Sequence, residues 1–190
     1  MSNYKIVITG TYAAGKTQFI RNASEIEPVE TEVPVTDPTE RAIKTHTTVG
    51  LDFGTLQIDE QHKLYLFGTP GQERFDILWE QLAIGCLGYI VLVDSCRPVE
   101  FRTAANLIRR FAHITTAPFV VAANKQDDPG ALPVDYIHFR LGLPMSIPVL
   151  PCIARDVASV HEVLYSLLDV IEKTSAVGAP VTDRSPAAAR

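Results

Sequence analysis

The chain has no apolar run approaching the roughly 18 residues that a membrane-spanning helix needs, and its N-terminus lacks the basic and apolar regions of a secretory leader. It has no Gly at position 2 and no Cys near its C-terminus, where myristoyl and prenyl groups are usually attached. A cytoplasmic protein without a direct lipid anchor is therefore expected, one that reaches a membrane only through a partner. Cysteine is scarce. Cys86, Cys96 and Cys152 stand in apolar stretches without metal-ligand spacing, which argues against a disulfide framework and predicts buried thiols in a reducing compartment. Positive charge is not in excess either: 17 Lys and Arg against 22 Asp and Glu leave a net −5, with the basic residues scattered. No nucleic-acid partner held by phosphate contacts is expected.

What is present is 190 residues of which 46% are hydrophobic, enough for one substantial core and too little for two ordinary domains. Tyr4 to Thr9 is a short β-rich run closed by Gly10, and apolar residues then recur at helical spacing through Phe19, Ile20 and Ala23. From Ser24 to Thr48 the pattern dissolves into acids, threonines and prolines, which predicts a long functional loop without elements. Val49 to Ile58 and Lys63 to Gly68, separated by polar Asp59 to His62, read as a β-hairpin. Gly88 to Asp94 and Pro118 to Ala123 are continuous apolar runs, the mark of strands covered on both faces. Helical periodicity fills Val99 to His113 and Val157 to Lys173, with a short strand predicted at Ile147 to Pro151. Such alternation implies an α/β fold with a mainly parallel sheet and ligands at the carboxyl ends of its strands. Ser175 to Arg190 shows no period and is expected to be a disordered tail after one domain spanning residues 1–174.

Two motifs fall at such strand ends. Gly10 to Thr17 (GTYAAGKT) satisfies the phosphate-binding pattern GxxxxGK[ST] between a strand and a helix. Backbone N–H groups of Gly10, Tyr12, Ala13, Ala14 and Gly15, with Gln18 at the helix start, are candidate nucleotide contacts. Lys16 would neutralise the β and γ oxygens, and Thr17 would offer its hydroxyl to Mg²⁺. The second motif, Asn124-Lys125-Gln126-Asp127, closes an apolar run. A carboxylate there accepts from guanine N1–H and the 2-amino group, whereas adenine has neither donor on that edge, so Asp127 selects GTP or GDP and disfavours an ATP-dependent enzyme.

The pairing of these two motifs resembles the Ras-like small GTPase superfamily over Lys5 to about Lys173. The wording TTVGLDFG and LYLFGTPGQERF is most similar to bacterial members: the polarity and gliding-motility GTPases and those encoded beside roadblock-fold partners. The resemblance implies a P-loop G-domain with about six strands and helices on both faces. It implies that Thr48 closes on Mg²⁺ and the γ-phosphate, that the Gly71 N–H meets the γ-phosphate, and that Gln72 orients the attacking water. Gln72, Lys16 and Thr48 are thus the candidate catalytic residues, and Thr17 and Thr48 the candidate metal ligands. Ile153-Ala154-Arg155 takes the place of the family's Ser-Ala-Lys, which puts Ala154 and Arg155 at the base. A roadblock-fold regulator and an activating or exchange factor are the implied partners.

Two departures stand out. The Asp that opens the family's second switch is Gly68 here, so Mg²⁺ is expected to be held by Thr17, Thr48, phosphates and water, and more weakly. Asp52 could take over that place, although an Asp in a strand pattern more often faces solvent or caps a turn. Tyr12 replaces a glycine beside the γ-phosphate; its ring either competes for space with Gln72 or points outward and packs on the first-switch loop, and slow hydrolysis is expected. Arg41 and Lys44 are candidates for charge supplied in cis, and Arg74, Phe75 and Trp79 for a partner-binding surface, Trp79 equally for the core. The expected function is a GTP-dependent switch; the alternative is a nucleotide-binding scaffold with little hydrolysis.

Overall fold

The computed structural model describes residues 2–27, 32–34, 46–48, 52–70 and 76–178. In chain order the elements are β1 (Ser2–Gly10), α1 (Lys16–Ala23), β2 (Glu32–Pro34), β3 (His46–Thr48), β4 (Asp52–Gln57) and β5 (His62–Gly68). They continue with α2 (Asp76–Ala83), β6 (Gly88–Asp94), a 3-10 turn at Pro98–Glu100, α3 (Phe101–Ile114), β7 (Phe119–Asn124), α4 (Val134–Leu141), β8 (Val149–Cys152) and α5 (Val157–Gly178).

Six strands form one sheet in the order β4-β5-β1-β6-β7-β8, the expected G-domain-like arrangement. All neighbours are parallel except β4 and β5, where β5 returns antiparallel along β4 after the Asp59–His62 turn. There the Asp59 carboxylate accepts the Gln61 and His62 N–H groups at 2.7 and 2.9 Å, and the His62 ring bond holds its carboxyl below the ordinary value. The continuous apolar runs are the central strands because both of their faces are covered. Ile90 and Leu92 of β6 pack towards α1 and α5 with Phe19, Ile20, Val163 and Leu167. Tyr89, Val91 and Val93 pack the other way with Phe101, Phe111 and Ile137. Each such buried side chain contributes about 2 kcal/mol by removal from water.

Four expectations need correction. The segment from Ser24 to Thr48 is not free of elements: Glu32–Pro34 pairs antiparallel with His46–Thr48. Three-residue strands of mostly polar sequence have no apolar alternation to be read. The helix expected to end at Lys173 runs to Gly178, so residues 175–178 are helical, not tail. The buried apolar period ends at Ile171, and beyond it residues 172–176 are exposed, with the Thr174 hydroxyl donating to the Val170 carbonyl at 2.8 Å. Helix α4 has no counterpart in the sequence reading. Of the three thiols only Cys152 is fully buried, which pushes it up to about 12; Cys86 and Cys96 are partly exposed. Residues 179–190, where the rest of the tail falls, lie outside the described residues.

Parallel strands deliver their last residues to one edge of the sheet, and Gly10, Gly68, Asp94, Asn124 and Cys152 all end there. Because β4 is antiparallel, its first residue reaches the same edge: Asp52 stands in register opposite Gly68.

Candidate functional site

The loop between β1 and α1 is bent by positive-φ backbone at Gly10, Ala13 (φ 59) and Gly15 (φ 104), and the Ala14 N–H closes a turn onto the Thr11 carbonyl at 3.2 Å; such turns are the backbone of anion-binding nests. Ala14 and Lys16 are buried, while Tyr12, Ala13 and Gln18 are half-buried and the Tyr12 hydroxyl is withdrawn from solvent. The ammonium of Lys16 donates to the carbonyls of Gly10 and Thr11 at 2.9 and 2.8 Å, held across the mouth of the loop where phosphate oxygens would sit.

Asn124 ties this loop to the rest of the site. Its Nδ2 donates to the Ala14 carbonyl at 2.8 Å and its Oδ1 accepts the Ala154 N–H at 2.8 Å. A Cβ at Gly15 would lie 2.3 Å from that Nδ2, so glycine is required there by the approach as well as by its φ. Asn22 on α1 donates to the Ala154 carbonyl at 2.8 Å, and the Ser159 hydroxyl accepts the Ile153 N–H at 2.9 Å. Lys125 sits at φ 69 and pairs with the buried carboxylate of Asp94, while Gln126 donates to the Ser95 hydroxyl and the Leu132 carbonyl. These contacts fix the turn that presents Asp127.

Asp127 and Arg155 face each other over a cavity of about 280 Å³ lined also by Gly15, Gln18, Asn124, Lys125 and Ala154. The Arg155 guanidinium donates from Nε at 2.9 Å and from Nη2 to the same carboxylate oxygen. Its hydrogen bonds hold the Asp127 carboxyl below the usual aspartate range. The structure thus brings the predicted base residues beside Gly15 of the predicted phosphate loop and Gln18 of α1.

At the other end, Asp52 overturns its expectation. It is 2% exposed, and its Oδ2 accepts the Thr17 hydroxyl at 2.8 Å. It also explains Gly68: a Cβ added there would lie 2.8 Å from Ile20 Cδ1 and 2.9 Å from Asp52 Cβ, so a side chain at position 68 and Asp52 compete for one volume. The carboxylate absent from β5 is supplied by β4. A hydroxyl and a carboxylate this close form a hard oxygen pair that suits Mg²⁺, which is held by one or two protein oxygens beside phosphates and waters. Thr17 fits as a ligand, and Asp52 fits as the acceptor for a metal-bound water.

Trp79 belongs to the core: it is 4% exposed, packs on Phe111, donates from Nε1 to the Pro70 carbonyl at 3.3 Å and lies under Arg110. Thr48 is placed in β3, but its side chain is not described. Gly71, Gln72, Arg41, Lys44, Arg74 and Phe75 lie outside the described residues. Asp52, Asn22, Asp94 and Ser159 are the site residues that sequence reasoning missed or misplaced. For Asp52 the signal was the missing Asp at Gly68, which leaves room for a carboxylate from a neighbouring strand.

A family model described as "Conserved hypothetical ATP binding protein" matches residues 31–139. The human ADP-ribosylation factor-like protein 4C is 32% identical over 146 residues, which is 75% of this chain and 71% of that protein. Ras-related protein Rab-11C of Dictyostelium discoideum is 26% identical over 129 residues, 65% of this chain and 52% of that one. In three dimensions the chain is similar to the Arl6 BBS3 small GTPase of Trypanosoma brucei, solved with the bound nucleotide analogue GppNp. The TM-score is 0.68 at 21% identity, covering 90% of this chain and 99% of the other. That last likeness carries the fold alone.

Proposed function

Because the chain belongs to the Ras/Arf-like small GTPase superfamily, and to the family described as conserved hypothetical ATP binding proteins, we propose that it is a guanine-nucleotide switch that hydrolyses GTP slowly. The observation that carries this reading is the bridge made by Asn124, which joins the phosphate loop at Ala14 to the base pocket at Ala154. Asp127 argues against the ATP of the family's description, since adenine leaves its carboxylate without donors.

In this reading the nest from Gly10 to Gly15 and the Lys16 ammonium bind and orient the phosphates, concentrating positive charge where negative charge develops on the γ-phosphoryl oxygens. Thr17 and Thr48 are the residues that would hold Mg²⁺, with Asp52 fixing the Thr17 hydroxyl and the water shell. When bound, Mg²⁺ supplies charge neutralisation on the phosphates. Gln72 orients the attacking water, and Tyr12 crowds that water and any inserted arginine. Turnover without a partner is then no faster than the order of 10⁻⁴ s⁻¹, the scale of unassisted hydrolysis by Ras.

The wording of the switch segments supports a place among the bacterial roadblock-associated members, with a roadblock-fold dimer as regulator and the cytoplasm as location. The second reading, a scaffold with little hydrolysis, is favoured by Tyr12 within the loop. One experiment separates them: phosphate release from GTP by the purified protein with and without a candidate roadblock dimer. Release that rises with the dimer supports the switch; none under either condition leaves the scaffold.

A further inference from the structure

A concavity larger than the base pocket lies away from the cleft, at the opposite end of the sheet. It has a volume of about 670 Å³ and runs between α3 and the segment from Arg140 to Ile147. Its floor is apolar, built from Ile108, Phe119, Leu141 and Leu143. Phe119 opens β7 and Asn124 closes it, so about 17 Å of strand separates the groove from the base pocket.

Three guanidinium groups stand on its rim: Arg102 and Arg109 from α3, and Arg140 from α4. Arg109 donates to the neutral Asn106 at 2.5 Å, and Arg140 donates to the Tyr136 hydroxyl at 2.7 Å. Among the described residues, none of the three is paired with a carboxylate. In a chain of net charge −5, three unneutralised arginines around an apolar floor are a local reversal of sign. Beside the rim, Phe139 is 77% exposed and Met145 89%. Large apolar side chains at such exposure next to arginine have the composition of an interface core.

The wall on α3 has a defined shape. Arg102, Ala105, Arg109 and Ala112 recur every three to four residues along one stripe about 15 Å long. The alanines let a backbone come close while the arginines reach past it. That length and those small residues suit two to three turns of a helix laid along α3.

We infer that this groove docks an acidic amphipathic helix of a partner protein, apolar residues against Ile108 and Leu143 and carboxylates on Arg102, Arg109 and Arg140. Because no phosphate or metal residue lines the groove, docking there is independent of whether GDP or GTP is bound. It therefore provides a constitutive tether alongside partners that read the nucleotide state.

The test uses the purified full chain carrying a photo-crosslinking side chain at Ala112 or Met145, loaded with GDP or GTPγS, irradiated in an extract of its native cells and analysed by mass spectrometry. The expected result is crosslinks from both positions to one acidic helical segment of one protein, equal for GDP-loaded and GTPγS-loaded protein. Reversal of all three charges (R102E, R109E and R140E) should reduce these crosslinks roughly tenfold or more while GDP binding is retained. Crosslinks to a second copy of the chain or to lipid, no crosslinks, or crosslinks indifferent to charge reversal would each overturn the inference. If the triple variant loses GDP binding, the single R109E variant with the same readouts decides.

Discussion

The two ends of the nucleotide cleft are built in different ways. At the base end, each predicted group stands where its motif places it, at the end of a strand or in the turn after it, and a few side-chain bonds lock the turns together. At the metal end, the place that the family fills with an Asp is Gly68, and a carboxylate reaches it instead from Asp52 on the neighbouring strand, where it accepts the Thr17 hydroxyl. A base must be recognised by groups in a fixed plane, so the residues that hold it cannot exchange places. A metal-bound water asks only for an oxygen at a point in space, and two paired strands offer two ways of putting one there.

The sharpest way to break the base end is Asp127→Asn. Replacing the carboxylate with an amide should shift preference from GTP to xanthosine triphosphate by roughly a thousandfold or more, because the amide oxygen still accepts N1–H while its NH2 opposes guanine's 2-amino group and donates to the 2-oxo group of xanthine; competition binding with the two nucleotides reads it. Asn124→Ala comes next. It leaves the Ala14 carbonyl and the Ala154 N–H without partners, and should cost about 2–3 kcal/mol of unfolding free energy by denaturant titration.

The metal end should respond less. Asp52→Asn is expected to weaken Mg²⁺ dependence of nucleotide retention roughly tenfold, the usual scale for a group acting through a ligand or its water. Gly68→Asp alone should disturb packing, since its side chain meets Ile20 and Asp52, whereas Gly68→Asp combined with Asp52→Gly should recover much of the Mg²⁺ response. Full additivity of the two changes would show that the positions do not share one role.

The smallest effect is expected from Arg155→Ala. An exposed ion pair contributes little, so GDP affinity should fall by less than about fivefold. Its signature is in pH. Arg155 holds the Asp127 carboxyl below its usual range, so the ionised form, which accepts from the base, is present above that value and lost as pH falls through it. Without Arg155 the loss begins at higher pH, and GDP release on acidification should move upward.

The same contrast explains what the sequence could reveal. β6 and β7 were legible because burial on both faces leaves a continuous apolar run, and the phosphate loop because its glycines and Lys16 are contiguous. Asp127 was legible because it sits three residues past the strand end that Asn124 closes. Asp52 was legible only as one of two alternatives, since the choice between them depends on register with Gly68 and no local spacing encodes register. Asn22 and Ser159 act through single hydrogen bonds to backbone, which leave no compositional trace. Trp79 looked like a surface anchor or a core residue until Phe111 and the Pro70 carbonyl fixed it inside.

The most direct test is equilibrium titration of nucleotide-free wild-type protein with GDP and with ADP in the presence of Mg²⁺. A guanine-nucleotide switch built on Asp127 predicts GDP binding tighter than ADP by roughly a thousandfold or more. Comparable affinities for the two would contradict it.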